Sequence, residues 1–167
     1  GVMDKMPFAG GSYTNESASN LIASIMGDIP YELEESLASK VLSGTLEPCT
    51  KREALLQVAF AICAVVDTSR SSKVKIFKRP TTQKSTISQG IYTGGSFSIE
   101  GEITEIRLSL NDGTTVSKKN PILSRDVLDN VLEFSGVFVN SSNSQEILNN
   151  LYEYYITNKN SKTDMKF

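Results

Sequence analysis

Between Thr68 and Ser98 the chain carries six cations, Arg70, Lys73, Lys75, Lys78, Arg79 and Lys84, and no acid. Such a run is chemistry for anions: phosphates, a nucleic-acid backbone, acidic lipid head groups or an acidic protein surface. The flanks have the opposite sign. Residues 1–66 hold eight acids and four bases, and residues 99–167 hold ten acids and seven bases. This acidic, basic, acidic pattern suits head-to-tail contact, in which the basic stretch of one copy meets an acidic stretch of the next. It also suits a solvated edge strand, where lysine blocks unwanted pairing. Strong nucleic-acid binders are basic overall. This chain has a net charge of −2, and only Phe77, Tyr92 and Phe97 stand near the basic run as stacking platforms.

Other residue types offer less chemistry. Glu100, Glu102 and Glu105 are close enough to act as acid and base or to hold a divalent ion, but the same spacing describes the wet face of a sheet. Asp126 and Asp129 lie three apart on an expected helix and read the same way. The chain has no histidine, which removes the commonest general base and transition-metal ligand. Cys49 precedes a helix start, where a thiol pKa is lowered, but it has no histidine to pair with. Cys63 sits in an apolar run and reads as a small buried hydrophobe. Gly90 to Gly95 lacks the Gly-Lys-Ser/Thr of a phosphate loop and reads as a strand connection. Catalysis, a cofactor and a metal are therefore not expected. Tyr152, Tyr154 and Tyr155, with Phe8 on the N-terminal segment, are the candidate interface residues, because tyrosine offers area with a polar tip.

The elements that position these residues follow from periodicity. Ala54 to Val66 is charge-poor and opens on Thr50-Lys51-Arg52-Glu53, a capping box. This predicts a helix over 51–66, apolar on nearly all sides and so covered on nearly all sides. The apolar run is 13 residues long, short of the roughly 20 needed to cross a bilayer. Helices are also predicted over 20–26, 30–42, 124–134 and 145–157, with a strand over 40–46 as the competing reading of the second. Strands are predicted over 73–79 and 96–110, the latter turning at Asn111-Asp112-Gly113 into a return strand over 114–117. Residues 1–19 are small and polar and predict a flexible N-terminal arm; residues 159–167 predict a polar C-terminal tail. Residues 20–158 then form one α+β domain, with the central buried helix and further helices packed on a mostly antiparallel sheet of about four or five strands.

This order of elements resembles the core of rhabdovirus matrix proteins, which have a mobile arm, a helix, a curved sheet and a later helix. The residues that carry the likeness are Leu55 to Val66, Val74 to Pro80, and Ile99-Glu100-Gly101-Glu102-Ile103 on to Leu110. The chain lacks that family's strongly basic arm and Pro-Pro-x-Tyr motif. The resemblance implies a self-assembling structural protein of viral type. Composition and resemblance together lead to the expectation of a non-enzymatic self-assembly or protein-interaction protein. Binding of nucleic acid or an acidic membrane surface through residues 70–84 is the alternative, and an enzyme using the carboxylates near 100–105 ranks last. Residues 1–11 lack the basic start and apolar stretch of a secretory leader, and the sequons at Asn15 and Asn140 read as chance triplets, so an intracellular setting is expected.

Overall fold

The computed structural model describes residues 2–68, 73–80, 91–92, 102–121 and 128–157. The fold is α+β, with antiparallel pairing dominant. The strands form several small sheets rather than the single sheet expected from the pattern.

The N-terminal segment is built into the fold rather than forming a free arm. A 3-10 turn, Val2–Asp4, buries Met3 in the core. Strand β1 (Pro7–Phe8) and strand β2 (Gly11–Ser17) follow. The small polar residues of β2 disguise a strand whose inward contact comes from Tyr13, which packs against the ring of Phe138. Helix α1 (Ala18–Met26) starts where Ser17 accepts the Asn20 N–H and ends at Gly27, whose φ of +59° favours glycine. Its Leu21, Ile22, Ile25 and Met26 are all buried, as the spacing predicts.

The helix expected over 30–42 does not form. In its place stand β3 (Tyr31–Leu33), the short α2 (Glu35–Ala38) and β4 (Val41–Leu46), the competing strand reading. The Leu33, Leu37, Val41 spacing misleads because Leu33 pairs on a sheet, Leu37 is buried and Val41 is exposed. Strand β4 pairs antiparallel with β2, and β5 (Cys49–Thr50) pairs with β1.

The central run divides in two. Helix α3 (Lys51–Ala61) starts at the predicted cap, where Thr50 Oγ1 accepts the Glu53 N–H at 3.1 Å. It stops at Ile62, and Cys63 takes a left-handed φ of +59° that turns the chain into β6 (Ala64–Asp67). The expectation of an enclosed helix holds for α3, because two cores flank it. Ala54, Leu55 and Val58 face the first core with α1, Leu42 and Ile76; Phe60 and Cys63 belong to the second. Gln57, the polar exception, accepts the Val137 N–H at 3.1 Å.

Strand β7 (Val74–Lys78) lies between β3, to which it is parallel, and β6, to which it is antiparallel; β8 (Ile91–Tyr92) flanks β6. A second sheet holds β9 (Glu105–Ser109) between β10 (Thr115–Lys119) and β11 (Val131–Ser135). The Asn111–Gly113 turn joins β9 to β10 as predicted. Residues 131–134, expected to end a helix, are strand β11, parallel to β9. Helix α4 (Ser144–Tyr152) continues as a π-helical stretch, Glu153–Thr157, and its Ile147, Leu148 and Leu151 close the second core over Ile106 and Leu108. Asn143 holds the N-cap position of α4 but does not cap it through its side chain. Its side-chain oxygen accepts the Asn140 N–H and its amide donates to Phe138 O, so it braces the preceding turn instead.

Candidate functional site

A β-strand turns alternate side chains to opposite faces, and this divides the basic segment. Lys73 and Lys75 share one face of β7 and its approach; Lys78 takes the other. Lys73 lies 3.7 Å from Glu32, an ion pair between half-exposed side chains. Lys75 stands in register between Glu32 of β3 and Asp67 of β6. The acids beside this face, Glu32 and Asp67, precede it in the same chain. Arg70 and Lys84 lie outside the described residues.

Arg79 departs furthest from the expectation of an exposed cation. Only 1% of it is accessible, so it leaves any surface patch. Its backbone N–H donates to Cys63 O at 2.8 Å, which extends the β6–β7 ladder by one rung and draws the side chain inward. Nη1 donates to Asn150 Oδ1 of α4 at 2.7 Å, and Cζ stands 5.9 Å from the centre of the Phe60 ring. Among the described residues Nε and Nη2 have no acceptor. Burial pushes the guanidinium pKa below its ordinary range, with Cys63, Tyr155 and Tyr154 pulling the other way.

The candidate interface aromatics are spent mainly on packing. Tyr155 is buried in the second core and meets Tyr154 edge to face at 4.7 Å and Phe134 at 5.7 Å. Phe134 in turn stacks on Phe60. Tyr152, half-buried, carries Lys118 Nζ 4.3 Å above its ring, a cation–π contact. Phe8 packs against the first core, so the structure does not bring it together with the tyrosines.

The carboxylates do not converge either. Glu105 is ion-paired with Arg107 at 3.2 Å, and Arg107 also meets Glu133 at 3.0 Å. Glu102 is exposed and Asp129 is exposed. Glu100 and Asp126 lie outside the described residues, as do most of Gly90 to Gly95. Among the described residues no group of three or more Cys, Asp or Glu side chains is placed to hold a metal. Burial pushes both free thiols, Cys49 and Cys63, above the ordinary range, the opposite of an activated nucleophile.

Two cavities were not legible in the sequence. One, of about 480 Å³, lies where β4 meets the second sheet and is lined by Gly44, Thr45, Gln57, Ser109, Asn111 and Gly136, among others. Its polar groups are neutral. The other, of about 380 Å³, lies between α2, the Ile62–Cys63 corner and α4; its lining includes Lys40, Cys63, Lys78, Glu146, Asn150 and Glu153. Lys40 and Glu146 form an ion pair there. At the first cavity Gly44 packs tightly on the next segment, because an added Cβ would stand 2.2 Å from Val137 O. No spacing rule connects residues 40, 63, 78 and 150.

No helix among the described residues is long and apolar enough to cross a membrane. No protein-family model matches the chain, and no curated protein matches it in sequence. The likeness to rhabdovirus matrix proteins thus rests on element order alone, and its mobile arm is replaced here by the paired strand β2.

Proposed function

We propose that this protein acts by binding protein chains, foremost a second copy of itself, and performs no chemistry of its own. The supporting observation is the state of the second sheet beside β11. Among the described residues β11 pairs with β9 alone, leaving its other edge without a partner strand. Just before it, Leu128 is 86% exposed, the most exposed large hydrophobic side chain among the described residues. A sheet edge beside an exposed apolar anchor is the arrangement that strand addition uses: backbone groups supply affinity and the side chain supplies position. A second copy brings the same edge and the same leucine, so a two-fold pairing satisfies both at once.

The electrostatics agree with this reading better than with binding of nucleic acid or acidic lipid. Arg79 is in the core, Lys73 is paired with Glu32, and Lys75 stands between two acids in register. The two free cysteines suit a reducing, intracellular setting. Sedimentation equilibrium across a wide concentration range tests the proposal. Covering a leucine is worth about 1.5–3 kcal/mol, so Leu128→Glu is expected to weaken self-association at least about tenfold. A chain that stays monomeric throughout, or a variant that associates as well as the wild type, would refute it.

A further inference from the structure

Arg79 is a buried cation with one neutral acceptor and two idle donors. A buried charge is ordinarily paired, and an unsatisfied buried donor needs a reason such as a bound ion or ligand. The described carboxylates do not supply the pairing: the ion pairs of Glu32, Glu105, Glu133 and Glu146 go to other cations. Two residues join Arg79 to the 380 Å³ cavity. Asn150 lines the cavity and accepts Nη1, and Cys63 lines it and accepts the Arg79 backbone N–H. The guanidinium, unpaired among the described residues, therefore lies one side chain behind the cavity wall.

The cavity has the size of a small-molecule site. Its inner wall is apolar, from Leu37 and Ile62, and its cations are Lys40 and Lys78. The charges on the lining balance, Lys40 and Lys78 against Glu146 and Glu153, and Arg79 behind the wall adds one positive charge. From this we infer that the cavity binds a small oxyanion-bearing molecule, a carboxylate or a phosphate monoester. Its anionic group sits toward Lys78 and Asn150 and its small body lies on Leu37 and Ile62. On binding, the Asn150 amide serves as the relay. Its Oδ1 keeps Arg79 Nη1 while its Nδ2 is a donor to the anion, so the field of the buried guanidinium reaches the ligand through a polarised hydrogen bond. Glu153 sets the limit on ligand charge: a dianion meets repulsion there, so monoanionic forms are preferred.

The probe is inorganic phosphate, with acetate in parallel, titrated into the full chain at constant ionic strength set by chloride. Binding is followed by ¹H–¹⁵N spectra and by melting temperature. The expected result is saturable shifts at Cys63, Asn149 and Asn150 and a saturable rise in melting temperature, stronger below the second phosphate pKa than above it. Lys78→Ala, at an exposed position, is expected to weaken binding about three- to tenfold without unfolding the chain. Arg79→Met is expected to abolish the rise. Linear, non-saturating shifts with both anions, or unchanged binding in Lys78→Ala and Arg79→Met, would overturn the assignment. This readout is independent of Leu128 and of self-association, so either proposal can fail alone.

Discussion

Arg79 yields the sharpest stability prediction. Replacing even a buried ion pair by apolar side chains of similar volume is often neutral or stabilising by about 1–4 kcal/mol, because the desolvation cost disappears. Here the charge has one neutral hydrogen bond and a ring contact to weigh against that cost. Methionine fills most of the arginine stem's volume and keeps a favourable contact with the Phe60 ring through its sulfur. Arg79→Met alone, however, strands Asn150 Oδ1, and an orphaned buried acceptor costs about 1–3 kcal/mol. The single variant is therefore expected near the wild-type stability. Adding Asn150→Leu removes the orphan and leaves the gain, about 2 kcal/mol, which corresponds to a rise of roughly 4–8 °C for a chain of this size. Arg79→Ala opens a void instead and is expected to fall below Arg79→Met by about 2 kcal/mol. The assay is urea unfolding in buffer free of phosphate and carboxylate, with an unchanged m-value as the check that the same surface is exposed. If the double variant is clearly less stable than wild type, the guanidinium is compensated in the native protein and the reasoning fails.

Three further outcomes are expected. Gly44→Ala places a methyl 2.2 Å from the backbone oxygen of Val137, where no side chain can yield, so a loss of about 3 kcal/mol is expected in urea unfolding; a loss under about 1 kcal/mol would show that the contact relaxes. Thr50→Ala should cost about 1 kcal/mol by removing the oxygen that holds the Glu53 N–H, and Thr50→Ser should recover most of it. Asp112 accepts from both the hydroxyl and the N–H of Thr114, which holds its carboxyl below the ordinary range. A depressed folded-state pKa means that its contribution is present at neutral pH and is lost as pH falls through the folded value. Carboxyl NMR titration should therefore place Asp112 low, and Thr114→Val should bring it back up.

Local signals carried as far as local forces decide the structure. The Thr50 cap, the α1 face and the Asn111–Gly113 turn were legible because each depends on residues within a few positions of one another. The misread elements are those that long-range pairing determines. Residues 31–33 carry a helical spacing, yet Tyr31, Glu32 and Leu33 pair with Val74, Lys75 and Ile76, more than forty residues away. Likewise Val131 to Ser135 pair with β9, and the apolar period that suggests a helix is met by a strand with one side on the second core. In the N-terminal segment β2 gains its place from β4, although its small polar residues predict no structure of their own. Propensity gives way in each case because packing against cross-strand neighbours and burial outweigh the local preference.

The basic segment shows why a charge run in sequence is weak evidence for a charged surface. On a helix, lysines at 73, 75 and 78 would spread over the cylinder; on β7 they divide between two faces, and the neighbouring strands then decide what each one meets. Strand β3 brings Glu32 and β6 brings Asp67, so the acids of residues 1–67 lie beside the bases of 73–78. The sequence-level segregation of charge is thus partly undone by strand pairing inside one molecule. Within the chain, Lys73 meets Glu32 in a half-exposed ion pair, so part of the basic stretch has an acid of its own molecule beside it. The proposed association surface is then mostly uncharged: Leu128 and the edge of β11, which pairs with β9 alone among the described strands. An association that depends on these should weaken little between low and moderate salt, whereas one that depends on the lysines should weaken steeply. The salt dependence of self-association therefore separates the two mechanisms without any mutation.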